Sequence, residues 1–227
     1  MGKICFDTQI WYKKKCLKIY SNMTNFVSTA QLPIVIGVRG ASGLIYAVRA
    51  IKFLLAANLI INLVASKATY SVWQAEQNIK MPAEATKQEK FWREQAGVET
   101  NGKLYCHPWQ DLGANIASGS YRTQGMIIIP CSMGTVSKLA AGFSSDLLER
   151  ASDVQLKEGS KLILVPREKP LSLIHLRNLT ALAEAGARIV PAIPAWYNNP
   201  QTIEDLVDFV VARALDQFGL DCVPIKR

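Results

Sequence analysis

Residues 125 to 157 read GMIIIPCSMGTVSKLAAGFSSDLLERASDVQLK, and the groups gathered there are suited to holding phosphate. An apolar run, Met126 to Ile129, leads into a turn bearing Cys131, Ser132 and Thr135, and the helical pattern beyond it carries Arg150 and Lys157. A strand, a hydroxyl-rich turn and a helix N-terminus together offer N–H and O–H donors to an anion. Arg150 and Lys157 share one face of a helix, about two turns apart. Arginine supplies paired donors to phosphate oxygens, and lysine supplies a point charge. The stretch therefore reads as half of a site for a phosphorylated cofactor and a phosphorylated substrate.

A second cluster precedes it. Gly37, Gly40 and Gly43 punctuate G-V-R-G-A-S-G directly after the apolar run that ends at Val38. Glycine lets backbone approach a ligand closely and turn sharply into a helix. The spacing is G-x-x-G-x-x-G, not the dinucleotide G-x-G-x-x-G. The end of the second strand pattern offers Ser66 and Lys67 where a dinucleotide fold places an acidic residue for the ribose. A mononucleotide fits better, and a turn that merely packs helix on strand is the bland alternative. Ser42 adds a hydroxyl at the edge where ligands of open α/β sheets bind.

These groups need a scaffold, and strand signals alternate with helix signals as in a parallel sheet with crossover helices. Strands are expected at Leu32–Val38, Leu59–Ala65, Lys103–Cys106, Met126–Pro130, Lys161–Val165 and Arg188–Pro191. Helices are expected at Gly43–Ala57, from Ser66 as N-cap, at Lys87–Ala96, Gly134–Phe143, Asp146–Glu158, Ser172–Ala185 and Thr202–Phe218. The last carries an amphipathic stripe of Ile203, Leu206, Val207, Val210, Val211, Ala214, Leu215 and Phe218, with Arg213 off it. The predicted fold class is α/β: a three-layer, Rossmann- or flavodoxin-like parallel sheet with helices on both faces. The long irregular stretch before residue 125 is of the kind that usually serves function.

Bulk properties narrow the field. The chain has 227 residues, 49% of them hydrophobic, enough for one sizeable domain, taken as residues 32–220 with a short tail at 221–227. Its net charge of +8 is uneven: residues 1–30 hold Lys3, Lys13, Lys14, Lys15 and Lys18 against Asp7, or +4. Residues 1–31 read as a disordered basic leader on a small-molecule enzyme rather than as a nucleic-acid arm, with Met23 as a second candidate start. The leader lacks the pattern of a secretory signal, and no apolar run is long enough for a membrane span. Five cysteines without CxxC, and His107 and His175 as the only histidines, suggest neither a disulfide framework nor a metal site, and point to a reduced, cytoplasmic protein. Cys131 has no histidine near it in sequence and reads as a small buried residue rather than a nucleophile.

The glycine loop, the PCS turn, DLLERASDVQLKE, LVPRE and PAWYNNPQTIEDLVDFVVAR, in this order, together resemble the UbiX/Pad1 family of flavin prenyltransferases over about residues 33 to 220. The resemblance implies an enzyme that joins a dimethylallyl group from dimethylallyl phosphate to N5 and C6 of reduced FMN, without a metal. The product, prenylated FMN, passes to a UbiD-type decarboxylase of quinone or phenolic-acid metabolism. It also implies a homo-oligomer, a dodecamer. Carried over by position, Gly40, Ala41 and Ser42 contact the flavin, as do Ser66, Ser132, Met133, Gly134, Thr135 and Arg150. Arg150, Lys157, Tyr197 and Arg213 bind the prenyl phosphate, some of them from a neighbouring subunit. Ser42, Glu76, Trp109 and Glu168 complete the catalytic set. Glu168 would exchange a proton with the departing phosphate or the adduct, and Trp109 would face an allylic cation. Salt bridging of Glu168 to Arg167 or Lys169, a surface role for Glu76 and a core role for Trp109 are the bland alternatives. One position departs from the family: Arg39 stands where a threonine or small residue is usual, so that a long cation either points to solvent or alters access to the flavin. Two rivals share these features: an FMN-dependent cysteine decarboxylase of the same fold, which would need a histidine after the first strand, and a non-enzymatic flavin carrier, which would not need the phosphate-binding cations.

Overall fold

A computed structural model describes residues 31–225, so the reading of the basic leader lies outside the described residues. From Leu32 onward the chain forms one compact unit. Six strands form one sheet: β1 (Ile34–Val38), β2 (Ile60–Ala65), β3 (Lys103–His107), β4 (Gly125–Cys131), β5 (Leu162–Pro166) and β6 (Arg188–Ile189). Their order is β3-β2-β1-β4-β5-β6 and every neighbouring pair is parallel. The register of β4 against β5 shifts between Ile128 and Cys131, where Pro130 has no N–H to give the ladder.

Among the described residues seven helices pack around it: α1 (Leu44–Ala56), α2 (Lys67–Gln77), α3 (Ala85–Ala96), α4 (Met133–Ala140), α5 (Leu147–Lys157), α6 (Leu173–Glu184) and α7 (Ile203–Leu215). Alternate strand side chains feed two cores, as the period of a strand requires. Ile34, Ile36, Ile127 and Ile129 join Leu54 of α1, Trp92 of α3 and Val211 of α7 on one face. Val35, Met126 and Ile128 join Val136 of α4, Leu148 of α5 and Leu182 of α6 on the other. Strands covered on both faces are continuously apolar, which is why β1, β4 and β5 are buried throughout. This is the three-layer α/β class expected from the sequence.

The differences are local. The stripe of α7 buries Val207, Val210, Val211, Ala214 and Leu215, but Ile203 in its first turn is 71% exposed. That helix ends at Leu215, and residues 216–218 form a 3-10 turn. No helix among the described residues is long and apolar enough to cross a membrane.

The sheet's connections reverse direction between β1 and β4: the chain moves outward to β2 and β3 on one side, and to β5 and β6 on the other. The loops leaving the carboxyl ends of β1 and β4 therefore diverge and leave a crevice at this edge.

Candidate active site

Residues 39–43 leave β1 at that crevice. Gly40 passes so close to α2 that a Cβ there would stand 2.4 Å from the Cβ of Ala68. Gly43 adopts φ +101°, in the left-handed region, and starts α1. Both glycines are thus required by the turn itself. Ser42 is exposed between them, and its carbonyl oxygen accepts from Arg167 Nε at 3.0 Å. Glu76, in the last turn of α2, accepts from the Gly43 N–H at 2.8 Å and the Leu44 N–H at 3.3 Å. Its carboxylate sits on the positive end of α1, where the helix dipole favours a negative charge. Glu76 is exposed, so it is a surface carboxylate that also contacts the glycine turn.

Ser66 follows β2 and is 2% exposed. It occupies the N-cap position of α2, as expected, but its hydroxyl meets Thr69 Oγ1 at 3.1 Å instead of a helix N–H. Thr69 Oγ1 in turn donates to the Val38 carbonyl at 2.8 Å, tying α2 to the end of β1. Across the crevice, Ser132 caps α4: its hydroxyl accepts from the Thr135 N–H at 3.3 Å and lies 3.0 Å from Thr135 Oγ1. The S-x-x-T spacing is the capping geometry itself. Met133 and Thr135 are buried, whereas Gly134 is exposed and a Cβ added there would meet only Ser132 Oγ, at 3.9 Å.

Arg39 corrects an expectation. It does not point to solvent: it is 8% exposed and paired with Asp146 at 2.8 Å and Glu149 at 2.8 Å. Glu149 is fully buried and also takes Lys138 Nζ at 2.9 Å and the Ser145 N–H and hydroxyl. Burial opposes its charge. The Ser145 hydroxyl, the Lys138 ammonium, the Ser145 N–H and Arg39 outweigh that and hold its carboxyl down at about 2.

Among the remaining expected residues, the structure separates two groups. Arg150, one turn into α5, donates to the Ala117 carbonyl at 3.3 Å and pairs with Asp153 at 3.0 Å. Trp109 is half-buried, and its carbonyl accepts from the Leu147 N–H that opens α5, so the long loop is fixed to the same helix. Glu168 leaves the carboxyl end of β5, exposed, and accepts from the N–H of Lys169 at 3.1 Å. The expected ion-pair alternative with Arg167 does not form, because Arg167 turns to Ser42. Tyr197 is 78% exposed in the segment after β6, its ring edge-on to Phe209 of α7 at 5.6 Å.

Lys157 and Arg213 stand apart from these. Lys157 ends α5, about 10 Å along the axis from Arg150, just before the chain enters β5. It pairs with Glu158 at 2.8 Å. Arg213 is near the end of α7 and pairs with Asp216 at 3.0 Å. The residues that follow it accept from Lys161 and Arg188, which stand at the amino ends of β5 and β6. Within one chain, therefore, both cations lie at the sheet edge opposite the glycine turn.

The other polar candidates have structural work. His175 completes the capping box of α6 with Ser172. His107 Nε2 lies 2.8 Å from Asn62 Oδ1, and burial lowers its pKa against the pull of Asp111. Cys131 is fully buried, and burial pushes its thiol up to about 12, with Arg39 opposing. A thiol held protonated is no nucleophile. The residue that sequence reasoning passed over is Arg167. It was legible only as a neighbour of Glu168, since nothing in its spacing marks the turn 125 residues earlier that it reaches.

The crevice suits a mononucleotide carrying phosphate. Exposed Ser42 leaves the end of β1, the capped N-terminus of α4 supplies N–H donors at the end of β4, and Arg167 brings a positive charge to the Ser42 carbonyl, whereas Arg150 is already paired with Asp153. No acidic residue ends β2 to hold the second ribose of a dinucleotide.

Comparison with known proteins agrees with the fold. The family model described as Flavoprotein matches residues 24–215. A flavin prenyltransferase UbiX of Synechocystis sp. is 72% identical over 195 residues, 86% of this chain and 95% of that protein. The crystal structure of AnUbiX (PadA1) in complex with FMN and dimethylallyl pyrophosphate is 38% identical, with a TM-score of 0.76 over 87% of this chain and 97% of that one. A dodecameric FMN-dependent UbiX-like decarboxylase from Escherichia coli O157:H7 is 41% identical, with a TM-score of 0.75 over 86% and 98%.

Proposed function

The chain belongs to the UbiX family of flavin prenyltransferases, within the wider flavoproteins, and on that premise we propose that it joins a dimethylallyl group to reduced FMN. The reduced flavin supplies the nucleophilic N5 and C6 that accept the C5 unit and close a fourth ring. The donor is dimethylallyl phosphate, and the product, prenylated FMN, goes to a UbiD-type decarboxylase. The observation that supports this reading is that the glycine turn, Ser66, the Ser132–Thr135 cap and Arg167 follow the carboxyl ends of neighbouring parallel strands, with the Arg39 N–H donating to the Pro130 carbonyl and Arg167 donating to the Ser42 carbonyl.

The protein's own groups divide the work. Gly40, Ala41, Ser42, Ser66, Ser132, Met133, Gly134 and Thr135 hold the flavin, with Arg150 on its phosphate side. Breaking the allylic C–O bond leaves negative charge on the departing phosphate, a charge we assign to Arg150 and Tyr197 together with Lys157 and Arg213. Glu168, exposed and without an ion pair among the described residues, holds the proton given to that phosphate or taken from the adduct. Trp109 covers the allyl group and excludes water. Glu76 holds the glycine turn in shape.

Because Lys157 and Arg213 lie at the far edge of their own sheet, they act in the site of a neighbouring copy. Apolar surface supports assembly into a homo-oligomer, which we take as the dodecamer. Leu173, Ile174 and Leu176 of α6, Trp196, and Ile203 of α7 are each 47–71% exposed. Free thiols at Cys106, Cys131 and Cys222 suit a reducing compartment, and the cytoplasm is the proposed location.

The rival cysteine decarboxylase lacks its residue here: no histidine occurs between Gly43 and Lys90, and Glu76 stands in that helix. The rival carrier is separated by experiment. The protein is incubated anaerobically with reduced FMN and dimethylallyl phosphate, and the flavin is weighed by mass spectrometry. A flavin heavier by one C5 unit is expected. Bound FMN of unchanged mass would make the protein a carrier and defeat the assignment.

A further inference from the structure

Arg39 is the last residue before the glycine turn, and its guanidinium lies inside the protein, with both Nη groups paired and Nε buried without a hydrogen-bond partner among the described residues. Nη1 reaches Asp146 Oδ2 at 2.8 Å, and Nη2 reaches Asp146 Oδ1 at 3.0 Å and Glu149 Oε1 at 2.8 Å. Both carboxylates open α5. Asp146 is its N-cap and accepts from the Glu149 N–H at 2.9 Å, and Glu149 directly precedes Arg150. Glu149 Oε1 also takes Lys138 from α4. One buried carboxylate is thus shared by the exit of β1, by α4 and by α5. These are the elements that bear Gly40 to Ser42, Ser132 to Thr135, and Arg150. Two cations face two carboxylates, so the cluster is balanced in charge, with Lys138 half-exposed and the other three side chains largely buried. A planar guanidinium spans both carboxylates at once, which a lysine ammonium cannot.

We propose that the Arg39–Glu149 pair is a positioning clamp of the flavin cradle, holding the glycine turn against the helices that carry Ser132 and Arg150 and thereby setting the affinity for FMN without touching it. The inference rests on the flavin reading above. A binding constellation is only as exact as the shell that supports it, and a displacement of about 1 Å costs up to about 100-fold.

The full-length apo-protein is titrated with FMN by quenching of flavin fluorescence, with thermal unfolding followed in parallel. Arg39→Met is expected to bind FMN about 10-fold more weakly, and Arg39→Lys to fall between it and the wild type. In the double variant Arg39→Met/Asp146→Asn the buried carboxylate that only Arg39 pairs among the described residues is also removed, while Glu149 keeps Lys138, so it carries the test if the single variant does not fold. It is expected to bind as weakly as Arg39→Met. Arg49→Met breaks another largely buried pair, with Asp208 of α7, and is expected to lose thermal stability while binding FMN as the wild type does. Wild-type affinity in the folded Arg39 variants would overturn the clamp, as would equal weakening in Arg49→Met. A wild type that binds no FMN would overturn the flavin reading and this inference with it.

Discussion

Arg167 and Ser42 join the two halves of the crevice. The guanidinium at the end of β5 donates from Nε to the carbonyl of the turn after β1, at 3.0 Å. The contact fixes the path of the backbone beside the Ser42 hydroxyl and leaves the other nitrogens of Arg167 available to an anion. Replacing Arg167 with alanine should therefore disturb turn and charge together. Prenyl transfer is expected to fall at least about tenfold, with FMN binding weakened as well. Steady-state assays of flavin product against FMN concentration check this, and an unchanged kcat/KM would remove Arg167 from the site.

Glu76 acts on the same turn from the other side. In Glu76→Gln the side chain keeps its shape but loses its charge over the N-terminus of α1. A stability loss of about 1 kcal/mol is expected, together with a lower yield of prenylated flavin. Denaturant unfolding and product assays on one preparation separate the two effects.

Lys157 and Arg213 should behave differently from residues of the cradle. Lys157→Ala and Arg213→Ala are each expected to lower product formation greatly while FMN still binds. Co-expressing a Lys157→Ala chain with a Trp109→Ala chain should restore part of the activity, because some sites in the mixed oligomer then receive both intact groups. Mixed oligomers as inactive as either parent would show that Lys157 serves its own chain.

The pH response of Glu149 has a definite sign. Its carboxyl is held at about 2 in the folded protein against an ordinary value of 4.5. The unfolded chain therefore binds the proton more readily between those values. The stabilisation is fully present above about pH 4.5 and is lost as pH falls toward 2, with about 3 kcal/mol as its upper bound. Urea unfolding from pH 6 down to pH 2.5 should show this slope, and Glu149→Gln should flatten it while lowering stability at neutral pH.

Cys131 supplies a negative test. With its thiol pushed up to about 12 and no exposed surface, it should resist alkylation in the folded protein at pH 8. Cys131→Ala should retain prenyl transfer, whereas a large loss of product without loss of fold would give the thiol a chemical role.

The succession of strands and helices was legible because burial on both faces writes continuous apolar runs such as Ile34–Val38 and Met126–Ile129, and helices write stripes such as Val207, Val210, Val211 and Leu215. The glycine turn and the S-x-x-T cap were legible for the same reason: their geometry is set within a few residues. Tertiary structure decided the contacts between segments distant in sequence. It turned Arg39 inward to carboxylates 107 and 110 residues away, sent Arg167 to Ser42 instead of Glu168, and left Lys157 and Arg213 at the edge opposite Ser42. Local sequence fixes what a residue can do. The partner that satisfies its charge or hydrogen bond depends on which strand ends the sheet brings side by side, and no local pattern records that.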